Sequence, residues 1–189
     1  MNLSLKVGSV AVALSVSALT AQANQLIESF EAGADRRWGY VQDGVMGGVS
    51  QGQLSFASEG DTSYARLTGT VSTDNNGGFI QFRAGIAEGL PDWTQALRLR
   101  VKGNGESYFV FIRTTDRRRP WHSYRARFET TDEWRDVDLP LADFTPSQPS
   151  LPPDLKPQKI VGIGIVAYGK DFEADLSVSE IHLLRGESS

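Results

Sequence analysis

No cysteine occurs anywhere in the 189 residues. That absence excludes disulfide frameworks, thiolate metal sites, thiol catalysis and lipid anchoring through a cysteine. Imidazole is almost as scarce: His122 and His182 are the two histidines, so histidine-based metal or acid–base chemistry is thinly supplied. Past residue 24 no segment carries a helical hydrophobic period, and coiled-coil, collagen-like and disordered classes do not fit the composition. What remains is an ordinary globular balance, 40% hydrophobic and 22% charged, in a length suited to one domain. A fold of this size buries roughly two thirds of its unfolded surface, so a core is available without staples.

The beginning of the chain has its own composition. Lys6 is the only charge before Glu28, Val7 to Leu19 is apolar and rich in small residues, and Ala21-Gln22-Ala23 has the A-x-A cleavage pattern. Residues 1–23 are therefore expected to be a signal peptide, and 24–189 a single domain. Ser15, Ser17, Thr20 and Gln22 dilute the apolar stretch below what a spanning helix of about 20 apolar residues requires, so no integral membrane segment is expected after cleavage. The net charge of −4 becomes −5 when Lys6 leaves with the leader. Periplasmic or secreted localisation is the expectation.

Apolar and polar residues alternate in Gln53 to Phe56, Tyr64 to Leu67, Ala96 to Val101, Tyr108 to Ile112, His122 to Phe128, Ile160 to Val166 and Leu176 to Leu184. Period-two runs spaced near ten residues and separated by Gly, Asn and Pro predict an all-β sandwich or barrel. The proline-rich connection Pro146 to Pro157 is expected to cross between sheets, since the residues after it are too few for a second domain.

Three motifs suggest chemistry that their context does not support. Gly48-Val49-Ser50-Gln51-Gly52 has the spacing of a nucleophile elbow, but a strand pattern follows Ser50 where that motif needs a helix. Gly164 to Lys170 imitates a phosphate loop, yet Asp171 stands where Ser or Thr should hold magnesium. Asp43, Asp61, Asp74, Asn75 and Asn76 offer oxygen ligands without calcium-loop spacing, and turn chemistry accounts for them more simply. No catalytic residue, metal or cofactor is assigned. Trp38, Tyr40, Trp93 and Trp134 read mainly as core or sheet-end packing, with Trp93, after Pro91-Asp92, the expected loop exception. His182 reads as structural.

Two glycine-rich segments read as structured loops. Trp38 opens a stretch in which Asp43-Gly44 and Gly47-Gly48 allow positive φ and close backbone approach, with Val45, Met46 and Val49 expected to point into the core. Asp74-Asn75-Asn76-Gly77-Gly78-Phe79 combines a turn with the start of a strand. The string Asp43-Gly44-Val45-Met46-Gly47-Gly48-Val49-Ser50, followed by Asn75-Asn76-Gly77-Gly78-Phe79, resembles the complex I intermediate-associated protein family of thirty-kilodalton type. The resemblance extends through Trp134 to Val137, Leu139-Pro140-Leu141 with Phe144, and Ile181. It implies a galactose-binding-domain-like jelly-roll β-sandwich, no catalytic residues, and assembly of membrane complexes by protein interaction. This chain departs from the family in its export signal and in lacking an arginine-glycine pair within Pro146 to Pro157.

Charge is unevenly placed. Arg98 to Arg127 holds nine basic residues against Glu106 and Asp116, a net of +7, leaving −12 for the rest of the mature chain. If Leu97, Leu99 and Val101 face the core, Arg98 and Arg100 face away; Tyr124 and Phe128 inward would turn Trp121, Arg125 and Arg127 outward. Arg98, Arg100, Phe111, Arg113, Trp121, Arg125 and Arg127 are thus expected to form one binding face, with Gly162 and Gly164 as its shallow floor. Guanidinium forks suit acidic groups and flat rings suit sugars or protein anchors, so a protein partner in the cell envelope or a glycan is expected. The competing reading is that arginine stems cover apolar sheet and guard strand edges. Nucleic acid is not expected for a chain this acidic.

Overall fold

The alternating runs become strands in the computed structural model, which describes residues 24–186; the expected signal peptide lies outside the described residues. The chain runs β1 (Gln25–Glu28), a helical turn α1 (Ala34–Arg37), β2 (Gly39–Gln42), β3 (Gln51–Glu59), β4 (Thr62–Val71), β5 (Phe79–Gly85) and β6 (Thr94–Gly103). It continues with β7 (Ser107–Thr114), β8 (Tyr124–Glu129), β9 (Arg135–Pro140), β10 (Thr145–Pro146), β11 (Ile160–Tyr168) and β12 (Phe172–Arg185). The first sheet has the order β3-β4-β12-β6-β9, with β1 also on β12; the second has the order β10-β8-β7-β11-β5-β2. Pairing is antiparallel, and the two sheets form the expected jelly-roll sandwich.

The alternation places the core as read. Leu97, Leu99 and Val101 of β6 join Leu67 and Leu176 from the first sheet, facing Phe82, Val110, Ile112 and Ile165 from the second. Strand β8 begins at Tyr124, so His122 and Ser123 end the loop before it instead of opening the strand. Among the described residues no helix is long and apolar enough to cross a membrane.

The proline-rich connection differs from expectation. The chain changes sheet at Leu141 to Phe144, between β9 and β10, and Pro146 to Pro157 then carries it from the edge strand β10 past β8 and β7 to β11 within one sheet. That segment closes one end of the core: Leu151 and Leu155 are buried, and the Tyr124 hydroxyl donates to the Pro152 carbonyl at 2.9 Å. Proline lets such a segment lie extended without leaving amide donors unpaired.

At the first corner, buried Glu28 accepts from the Phe30 amide (2.7 Å), the Trp38 indole (2.8 Å) and Arg37 Nη2 (2.8 Å). Trp38 packs against Phe30 and Phe82 with ring centroids 5.3 and 5.4 Å apart. Trp38 is thus a core residue, as expected. Burial alone would raise the Glu28 pKa, but the hydrogen bonds from Arg37, Trp38 and Phe30 outweigh it and hold the carboxylate below its ordinary range.

Candidate functional site

The two glycine-rich loops meet on one carboxylate. Asp43 is fully buried where the chain leaves β2 at the edge of the second sheet to enter β3 at the edge of the first. It accepts from the Ser50 amide (3.1 Å), the Ser50 hydroxyl, the Gly78 amide (2.6 Å) and the Phe79 amide (3.1 Å). Ser50 Oγ in turn accepts from the Ser72 amide at 3.0 Å. Glycine is required by proximity at Gly77, where a Cβ would sit 2.6 Å from Asp43 Oδ2, and at Gly48, where it would overlap the carboxyl carbon. Gly47 and Gly78 turn the chain with φ of 91° and 120°, and Asn75 and Asn76 take the left-handed region beside them. Gly44 lies in the short turn between, beside the Gln42 side chain. Ser50 is therefore a buried tie between loops, entering a strand as its flanking pattern indicated.

Burial would raise the Asp43 pKa, yet the hydrogen bonds from Ser50, Gly78 and Phe79 outweigh it and hold the pKa below the ordinary value. Asp43 and Glu28 thus bind protons less readily folded than unfolded. The stability they add is complete above the ordinary carboxylate range and is lost as pH falls through their lowered folded values. The thermal midpoint is expected to stay flat from about pH 7 to about pH 5 and to fall steeply below roughly pH 4. Circular dichroism melts across that range check this.

Val45, Met46 and Val49 do not enter the core. They are 75%, 58% and 44% exposed, because Asp43 takes the inward position of this short turn and the side chains after it are directed outward. An apolar tip results. Among the described residues no cluster of three metal-ligating side chains is present.

The expected arginine face is divided between the two sheets. Arg98 and Arg100 lie on β6, where Arg98 grips Asp138 of β9 in a two-pronged pair at 2.6 and 2.7 Å and Arg100 meets Asp136 at 3.5 Å. Phe111 and Arg113 lie on β7, and Arg125 and Arg127 on β8, in the other sheet. The reason is topological: Asn104 to Glu106 is short enough for a hairpin but steps between sheets, so β6 pairs with β12 and β9 and never with β7. Arg98 and Arg100 are thus paired with aspartates of the neighbouring strand, on the sheet opposite Arg113, Arg125 and Arg127. Arg98→Ala is accordingly expected to change stability by about 1 kcal/mol or less, as for exposed pairs, and to leave ligand binding untouched. A melt and a titration of that variant check both halves.

The outer face of the second sheet is different. Its register lines up Arg125, Phe111, Gly164 and Arg83 in one row, and Arg127, Phe109, Val166 and Gln81 in the next. Phe111 and Val166 are buried yet lie outside the core cluster, so this face has a recessed floor. Tyr168 completes it: its ring stands 5.3 Å from Phe111 and 5.7 Å from Phe109. The Arg125 guanidinium lies 4.6 Å from the Phe111 centroid and 5.0 Å from that of Tyr168, and donates to the Tyr168 hydroxyl at 3.2 Å. Arg127 is held by Glu129 and Ser107 at the rim.

In this floor Gln81 is only 4% exposed, and among the described residues its Oε1 has no hydrogen-bond partner. A buried amide oxygen without a donor costs about 1–3 kcal/mol, which a bound donor would recover. Gly164 leaves the space beside it free of a side chain, since a Cβ there would lie 3.0 Å from that oxygen. Gly164 lies in this floor and Gly162 at its end, as expected from the alternation, whereas no local pattern marks Gln81, Tyr168 or Arg83. Gln81 between Ile80 and Phe82 has outward parity; what hides it is the wall of neighbouring strands, which no local pattern encodes.

Trp121, 57% exposed in the loop joining β7 to β8, has the Arg119 guanidinium 5.9 Å from its ring. It is the tryptophan that a loop exposes, whereas Trp93 packs against the core beneath Arg185. His182 pairs with Glu180 at 2.8 Å. A separate cleft of about 420 Å³ opens beside β1, but its charged groups, Glu28 and Arg37, are paired with each other.

Residues 28–178 match the family description Complex I intermediate-associated protein 30. No curated protein sequence matches the chain. In structure it is similar to the family 11 carbohydrate-binding module of cellulosomal cellulase Lic26A-Cel5E of Clostridium thermocellum, with 14% identity, a TM-score of 0.69, and coverage of 87% of this chain and 95% of that one. The family 11 module of the same organism in complex with a β-1,3-1,4-mixed-linked tetrasaccharide gives 15%, 0.70, 88% and 98%. An exo-β-agarase gives 6% identity and a TM-score of 0.57, over 87% of this chain and 25% of that one. These likenesses show the fold. The family match spans most of the chain and takes in both glycine-rich loops with the carboxylate that fastens them, and the protein belongs to the complex I intermediate-associated protein 30 family.

Proposed function

We propose that the protein is a non-catalytic binding domain that holds a glycan chain on the outer face of its second sheet. The observation that carries this reading is the unpartnered Gln81 oxygen in a recessed floor of Phe111, Val166 and Tyr168. Sugars present flat C–H faces edged by hydroxyl donors, and such a floor offers aromatic surface together with one directional acceptor. Recession suits a slender chain better than a broad protein surface. That a similarly folded module holds a mixed-linked tetrasaccharide supports the reading. Removal of residues 1–23 during export to the periplasm or medium, where polysaccharides are met, belongs to the same proposal.

A second reading, docking of a protein partner during assembly in the cell envelope, is favoured by the exposed tip Val45, Met46 and Val49. Calorimetric titration of the purified protein against a panel of neutral and acidic oligosaccharides separates the two. Saturable binding of one glycan class that is unchanged in Met46→Asp supports the groove; binding to none of them, with an envelope partner crosslinked through the tip, supports docking.

A further inference from the structure

Beside the aromatic rows the groove ends in three arginines. Arg83 on β5 and Arg113 on β7 rise on either side of β11 in adjacent rows, Arg83 paired with Gly164 and Arg113 with Gly162. The two strands flank β11 at one sheet spacing each and the two arginines are offset by two residues, so their side chains start roughly 12 Å apart across a strip with no side chain. Arg117 closes the third side from the loop after β7, its Nη1 donating to the Thr114 carbonyl at 3.1 Å. The pocket so formed has a volume of about 350 Å³. It lies two residues along β7 from Phe111, about 7 Å, and is continuous with the floor through Arg83.

These arginines differ from those on the opposite face. Arg66, Arg98 and Arg100 each hold an aspartate within salt-bridge distance. Among the described residues no carboxylate lies within that distance of Arg83, Arg113 or Arg117, and nearby Asp116 is taken by Lys159 at 2.8 Å. Partial burial and the charges of Arg83 and Arg117 push the Arg113 pKa down to about 10, so it stays charged at neutral pH while the folded state disfavours that charge. Like charges gathered around a side-chain-free strip, without internal neutralisation, make a cradle for an external anion.

We propose that Arg83, Arg113 and Arg117 form a subsite for an oxyanion substituent, a carboxylate or a sulfate, on the glycan held by the groove, which makes the ligand an acidic polysaccharide. This rests on the glycan reading above. The aromatic rows hold the sugar faces and the arginines select the charged ring.

The test is calorimetric titration with three defined probes: an oligogalacturonate, a sulfated galactan oligosaccharide and a neutral mixed-linked glucan oligosaccharide. At least one acidic probe is expected to bind about tenfold or more tightly than the neutral one, as charge-assisted forks would give. Which acidic probe wins distinguishes carboxylate from sulfate. Arg113→Met is expected to reduce that preference to within about twofold while leaving neutral binding in place. Without ligand, the same variant is expected to melt a few degrees higher, roughly 2–4 °C, because a disfavoured charge is gone. Neutral binding with no acidic preference, or a preference that survives Arg113→Met, overturns the subsite alone. Failure of all three probes overturns the glycan reading and the subsite with it.

Discussion

Asp43→Ala is expected to be the most damaging single substitution in the fold, lowering stability by about 3–5 kcal/mol and the thermal midpoint by roughly 10 °C. The carboxylate is fully buried and is the shared acceptor for two donors from Ser50 and for the amides of Gly78 and Phe79. Its removal leaves those donors facing a hole, and each unpaired buried group carries a desolvation cost. The consequence reaches beyond the loop. Asp43 joins the edge of the second sheet to the edge of the first, and Phe79 opens β5, which carries Gln81 and Arg83 into the groove. Asp43→Asn keeps an acceptor but turns an amide donor toward other donors, so it should lose less than alanine and more than an exposed substitution. Paired melts by circular dichroism measure both; an Asp43→Ala shift below about 2 °C would show that the loops are fastened elsewhere.

The second large effect falls on binding and spares stability. Tyr168→Ala is expected to weaken glycan affinity by about 30-fold, near 2 kcal/mol, as truncation of a central aromatic contact does. Its ring is at once floor, neighbour of Phe109 and Phe111, and the hydroxyl that positions Arg125. Without it the guanidinium loses one of its two ring contacts and one of its two hydrogen bonds, so the site loses surface and order together. Because Tyr168 ends β11 on the outer face and lies outside the core, its melt should move by only a few degrees. Arg98→Ala, on the opposite face, is the matched control. Equal affinity losses in the two variants would show that the effect is not local to the groove.

The sandwich was legible because its evidence is local. Period-two alternation through Leu97, Leu99 and Val101, or through Tyr124, Ala126 and Phe128, directly states which side of a strand meets the core. The glycine-rich strings were legible as well, since positive φ at Gly47 and Gly78 and close approach at Gly48 and Gly77 admit few other residues. The face was only half legible. Phe111, Arg113, Arg125 and Arg127 share a sheet as parity suggested, but parity cannot say that Arg98 and Arg100 belong to the other one. That depends on a three-residue connection stepping between layers. Met46 failed for a related reason: an apolar residue in a turn points where the backbone sends it, and Asp43 had already taken the inward place. Gln81 was invisible because its isolation arises from strands more than twenty residues away in the chain.

On the proposed reading the outer face of the second sheet, and no other surface, takes the ligand. Amide chemical-shift mapping by NMR during titration with an oligosaccharide from the panel tests it most directly. Perturbations are expected to be confined to β5, β7, β8 and β11 and centred on Gln81, Phe111, Gly164 and Tyr168. Perturbations centred on Arg98, Arg66 and β9, or on the cleft beside β1, would contradict it.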